Sequence, residues 1–141
     1  IRDSYGIIFT TWNADIIQDL LKETKKELLN QGVDETNIIV KEVPGAFELP
    51  LATQIMAEKE NISSVISLGA IIQGDTPHFD FISSACIEGL QNVSLKTKIP
   101  VICGVLTTRT VEQAKERSDP NKMNKGKEFA LSAMNMVDAL S

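Results

Sequence analysis

Two cysteines and one histidine are too few for the metal clusters or disulfide frameworks that hold many small chains together. Cys86 falls on an expected helix and Cys103 in an expected strand, without metal-ligand spacing, and the compartment is read as reducing and cytoplasmic. Basic residues are outnumbered: Lys and Arg total 14 against 19 Asp and Glu, for a net charge of −5. With no basic cluster, and no aromatics interleaved with basic residues, neither nucleic acid nor a membrane surface is expected as a partner. No apolar run approaches the ~20 residues of a membrane span. A signal-peptide pattern is also missing, and because a strand pattern opens almost at the first residue, a short preceding segment is expected. Linkers and low-complexity tracts are absent, so residues 1–141 are read as one domain. What the chain does have is 43% hydrophobic residues over 141 positions, enough for a proper core.

Those apolar residues follow one alternation four times, a short β-rich run and then helical periodicity. The expected strands are residues 5–12, 37–43, 64–72 and 101–106. In the first helix Ile16, Ile17, Leu20, Leu21, Leu28 and Leu29 are expected on one face, with Lys22, Lys25 and Lys26 elsewhere and Gly32 as C-cap. A second amphipathic run carries Phe81, Ile82, Ala85, Leu90 and Val93. Strands alternating with helices of this length imply right-handed βαβ crossovers. The expected fold is α/β, a three-layer α/β/α sandwich on a four-stranded parallel sheet.

In such a sheet every strand-to-helix turn emerges at the carboxyl edge, where ligands bind. Four turns with unusual chemistry meet there: residues 10–13 with the only tryptophan, 44–48 with Phe47 and Glu48, 74–78 with the only histidine, and the threonine cluster at 107–110. Trp12 is either a core aromatic or a stacking wall for a planar ligand. Glu48 either matches a helix dipole or accepts hydroxyl hydrogen bonds. The turn at Asp75 and Thr76 offers unpaired helix-start N–H groups and a hydroxyl to an anion, with His78 beside it for proton transfer. A histidine that merely decorates a helix start is the plainer alternative.

Together these residues resemble the lumazine synthase family. The resemblance runs from about Tyr5 to the C-terminus, in order and with the family's spacing. It rests on Trp12-Asn13, Val43-Pro44-Gly45-Ala46-Phe47-Glu48-Leu49-Pro50, Gly69-Ala70-Ile71-Ile72, Gly74-Asp75-Thr76-Pro77-His78-Phe79-Asp80, residues 100–108, Glu112-Gln113-Ala114 with Arg117, and Asn124-Lys125-Gly126. The chain departs from the common pattern at Thr11, Gln73, Asp75 and Cys103.

The resemblance implies a flavodoxin-like strand order 2-1-3-4. It also implies a cofactor-free, metal-free condensation of 5-amino-6-(D-ribitylamino)uracil with 3,4-dihydroxy-2-butanone 4-phosphate. The products would be 6,7-dimethyl-8-ribityllumazine, phosphate and water, the penultimate step of riboflavin biosynthesis. His78 takes the proton-transfer role by resemblance, imidazole being the side chain suited to proton exchange near neutrality. Asp75, Thr76 and Arg117 would hold the phosphate. Trp12 would stack on the pyrimidine, with Ala46, Phe47 and Glu48 around the ring and ribityl chain, main-chain groups of Ala70, Ile71, Ile72 and Cys103 completing the pocket, and Lys125 reaching the pyrimidine. Relatives assemble as pentamers, sometimes as decamers or icosahedral shells of sixty chains, with sites shared between subunits; riboflavin synthase is a partner the resemblance allows. Three alternatives share parts of this pattern: a flavin carrier, a flavodoxin-like signalling module and archaeal-type riboflavin synthase. The first two would not need His78, Arg117 and Lys125 together.

Overall fold

The computed structural model describes residues 3–59, 61–75 and 77–141. Four strands and five α-helices follow one another: β1 (Ser4–Thr10), α1 (Ala14–Asn30), β2 (Ile38–Val43), α2 (Leu49–Ala57), β3 (Ile62–Ile72), α3 (His78–Thr97), β4 (Val101–Thr108), α4 (Val111–Ser118) and α5 (Lys125–Leu140). All strand pairs are parallel, and the sheet order is β2-β1-β3-β4. This is the expected α/β sandwich with flavodoxin-like order.

β3 lies inside the sheet, and its apolar run suits a strand covered on both faces. Val65, Ile66 and Leu68 are fully buried. Its buried serines keep partners: Ser64 Oγ donates to Pro100 O at 2.9 Å, and Ser67 Oγ pairs with Thr53 Oγ1 of α2 at 2.7 Å. Adjacent residues of β1 serve opposite faces, as the two-residue strand period requires. Ile7 joins a core with Ile17, Leu20, Leu106 and Ala130 under α1, α4 and α5, whereas Ile8 joins Leu49, Met56, Leu90 and Val105 under α2 and α3. No described helix is long and apolar enough to cross a membrane.

Element ends differ from the sequence reading in ways that matter to the site. β1 stops at Thr10, so Trp12 stands beyond the strand; β2 begins at Ile38, after a 3-10 turn over Glu35–Asn37; and β4 continues through Thr108. Leu29, expected on the buried face of α1, is 40% exposed, whereas Glu23, Thr24 and Glu27 are buried. The inward stripe runs through positions 16, 20, 24, 27 and 28, and Leu29, about 100° round from Leu28, is rotated out of it. Gln31 caps this helix, and Gly32 follows with φ 98°. Gly32 N–H donates to Leu29 O and Val33 N–H to Leu28 O, a Schellman closure that needs the left-handed residue at position 32. α3 begins at His78, and its inward stripe is Ile82, Cys86, Leu90 and Val93, so Phe81 and Ala85 face outward.

Candidate functional site

Three loops build a cleft of about 430 Å³ at the carboxyl edge of the sheet. The first follows β1. Thr11 N–H donates to Val43 O at 3.1 Å and Thr11 Oγ1 to Pro44 O at 2.9 Å, which ties this loop to the end of β2. Asn13 then takes a left-handed backbone, φ 58°, and its carbonyl accepts from the amides of Ile16 and Ile17. Between these two anchors Trp12 is held outside the core, 72% exposed, which excludes the core-aromatic reading.

The second loop ends in the 3-10 turn Ala46–Glu48. A methyl group placed on Gly45 would stand 3.3 Å from Glu48 Oε1 and 3.7 Å from Trp12 Cδ1, so the glycine lets carboxylate and indole converge. Phe47 is 65% exposed on the same side. The third loop leaves β3, where Gln73 N–H donates to Thr108 O at 2.9 Å, and runs into α3. Pro77, at its N-cap, has no polar side chain to cap it, and the first turn holds His78, which is exposed. The unmatched amides of a helix start point outward there and favour negative charge.

The cleft brings together Trp12, Ala46, Phe47, Glu48, Ala70, Ile71, Ile72 and His78 from the sequence-derived set. Its wall also includes Phe79 and Ile82, which the sequence reading did not assign to the site. For Ile82 the signal was helical spacing: on a helix that starts at residue 78, positions 78 and 82 share one face. Asp75 is exposed on the adjoining loop. Thr76 lies outside the described residues.

Cys103, Arg117 and Lys125 are not in the described lining. Ala70 to Ile72 pair with Leu106 to Thr108, whereas Cys103 pairs with Ser67. That places Cys103 three residues, roughly 10 Å, down the strand from the rim. It is exposed on β4, an edge strand, and its thiol is pushed above the ordinary value by desolvation, with a backbone hydrogen bond at Val105 acting the other way. Arg117, half-buried on α4, donates from Nη1 to Gln113 O at 3.0 Å. Lys125 opens α5, and its Nζ lies 3.3 Å from Glu128 Oε2. Among the described lining residues there is therefore no Lys or Arg.

The cleft can stack a planar ring, accept hydroxyl hydrogen bonds and exchange protons beside a helix start suited to an anion. A family model described as 6,7-dimethyl-8-ribityllumazine synthase matches residues 3–141.

Proposed function

Because the chain belongs to the 6,7-dimethyl-8-ribityllumazine synthase family, we propose that it condenses 5-amino-6-(D-ribitylamino)uracil with 3,4-dihydroxy-2-butanone 4-phosphate. The products are 6,7-dimethyl-8-ribityllumazine, phosphate and water. The observation that carries this reading is one cleft that joins an exposed indole, a carboxylate and a helix-start histidine.

Trp12 stacks on the pyrimidine, Glu48 accepts from the ribityl hydroxyls, and backbone groups of residues 70–72 meet the ring edge. The phosphate sits at the start of α3 beside Asp75 and Thr76. The 5-amino group adds to the ketone and water leaves, forming an imine; phosphate is then eliminated, and the ribitylamino nitrogen adds to the remaining carbonyl, expelling a second water as the ring closes. Each step moves a proton, and His78 lies where it can give and take them. Positioning supplies the larger part of the rate, since two reactants held in register gain the equivalent of roughly 7–11 kcal/mol in favourable cases. The chemistry needs no cofactor.

Among the described lining residues no Lys or Arg offsets the phosphate charge within one subunit. Arg117, Lys125 and the edge at Cys103 therefore complete sites between neighbouring copies in a ring-forming homo-oligomer. Leu51 and Ile55 on α2 and Phe81 and Leu95 on α3, between 54% and 70% exposed, are apolar side chains that assembly would cover. The test is to mix protein with both substrates and follow lumazine absorbance and phosphate release. Equal amounts of the two products are expected. A folded, assembled sample that binds riboflavin but forms no lumazine would favour a flavin carrier instead.

A further inference from the structure

The start of α5 is tied to α1 by contacts that no step above uses. Asn124, just before the helix, holds a left-handed backbone, φ 46° and ψ 56°, and its side chain does not cap the helix. Its Nδ2 instead donates to Glu23 Oε1 at 3.3 Å, across 101 residues of sequence, while its Oδ1 is buried with no hydrogen-bond partner among the described residues. Two residues later Gly126 packs so tightly on α1 that a methyl group there would stand 2.7 Å from Leu20 O. Thr24 Oγ1 donates to Gly126 O at 2.9 Å. Lys125 is thus bracketed at 124 and 126 by consecutive residues of α1.

This is a poor arrangement for stability alone. Glu23 is only 8% exposed, on a helix face that buries Ile16, Ile17, Leu20 and Leu28 as well as Thr24 and Glu27. An apolar residue there would pack without the cost of desolvating a carboxylate. Asparagine tolerates the left-handed region better than most residues, yet here it also leaves a buried carbonyl unsatisfied. What the arrangement does secure is the direction in which position 125 leaves the loop.

We infer that Glu23 is a positioning residue for Lys125: through Asn124 it sets the course of the lysine toward the pyrimidine, with Thr24 and Gly126 as the second point of support. The inference rests on the reading of Lys125 as a pyrimidine-binding residue. It extends the site to a carboxylate on a helix that contributes no lining residue of its own.

Glu23→Ala and Glu23→Gln separate positioning from plain stabilisation, with KM measured for each substrate in turn. Glu23→Ala should raise KM for the ribitylaminouracil about fivefold and leave KM for the butanone phosphate unchanged, a loss the size of one modest hydrogen bond. Glu23→Gln, whose amide oxygen still accepts from Asn124, should return KM to within about twofold of wild type. Amide hydrogen exchange at residues 129–131, whose N–H groups bond back to 125–127, should quicken in Glu23→Ala and not in Glu23→Gln. A merely structural carboxylate would lower folded yield or melting temperature and leave the ratio of the two KM values at wild type; that result overturns the inference, as does failure of Gln to rescue. If Glu23→Ala does not fold, Thr24→Val carries the same test by removing the tether to Gly126, with the same one-sided rise in KM expected and unchanged KM values counting against. Should wild type form no lumazine, the synthase reading falls, and hydrogen exchange alone decides whether Glu23 orders the start of α5.

Discussion

Each end of the sheet carries a cleft. At the carboxyl ends of the strands it measures about 430 Å³ and is walled by Trp12, Phe47 and residues 70–72; at the amino ends it measures about 510 Å³ and is lined by Asp3, Tyr5, Asp34, Asp138 and their neighbours. The larger cavity is the poorer candidate for this chemistry. At the carboxyl edge helices begin, so unmatched N–H groups face the ligand, whereas at the amino edge α1 and α5 end and contribute carbonyls. Three aspartates deepen that negative field. Asp34 is already occupied, accepting from Thr36 N–H at 2.9 Å and Thr36 Oγ1 at 2.8 Å. A phosphate-bearing substrate, as proposed, would be drawn to the first end and repelled from the second, so the direction of the helices, more than volume, favours the carboxyl edge.

The sharpest way to break this contrast is to remove the cation proposed for the phosphate. Arg117→Ala should lower kcat/KM for the butanone phosphate about a hundredfold, the equivalent of about 3 kcal/mol of charge-assisted hydrogen bonding, while the melting temperature stays near wild type. Trp12→Ala comes next. An indole that is 72% exposed contributes little to folding, so stability should change by no more than about 0.5 kcal/mol, while KM for the ribitylaminouracil rises about thirtyfold from the lost stacking, worth about 2 kcal/mol. Isothermal titration with riboflavin, a stable ring of similar shape, would read the same loss without turnover.

His78→Ala should slow turnover about tenfold, less than Arg117→Ala, because positioning leaves proton transfer a smaller share of the barrier. Steady-state rates on the two variants decide the order. Abolition by His78→Ala with near-normal activity in Arg117→Ala would reverse the roles and place proton transfer above phosphate binding.

Much of this division was legible in the chain. Alternating apolar runs gave four parallel strands, and parallel topology puts every strand-to-helix turn at one edge, so Trp12, Glu48 and His78 converge by connectivity alone. Less legible were features that depend on which helix face meets which neighbour. Leu29 and Phe81 satisfy a hydrophobic pattern yet are exposed, and Glu23 violates it yet is buried. Periodicity assigns a face within a helix, but partner packing decides how wide the buried stripe is and what polar group it can include. Arg117 and Lys125, tied to the site by motif resemblance alone, stand apart from the described lining of the single-chain cleft, because a motif gives spacing along the chain and not where a long charged side chain reaches.

The smallest expected effect belongs to the amino end. Tyr5 is buried there, and its hydroxyl is pushed above the ordinary value of 10.0 first by burial, then by Asp3 and Asp138. Cys86, buried on α3, is pushed from 9.0 to about 12, mainly by burial. In the folded chain both groups keep protons that the unfolded chain has begun to release. Their contribution to stability is therefore complete below the unfolded values and is lost as pH rises toward the folded ones. The decline opens near pH 9 with Cys86, and Tyr5 adds to it from near pH 10. Tyr5→Phe keeps the ring and removes the ionisable hydroxyl, so lumazine formation should be unchanged and stability at pH 7 should stay within about 0.5 kcal/mol of wild type. Urea unfolding repeated at rising pH should show the variant losing less stability than wild type above about pH 10, with Cys86→Ala flattening the curve from about pH 9. A Tyr5→Phe curve parallel to wild type would mean that the hydroxyl titrates alike in both states. A Tyr5→Phe enzyme that loses activity at pH 7 would mean that the amino end shares in the chemistry, and the contrast between the two clefts would fail.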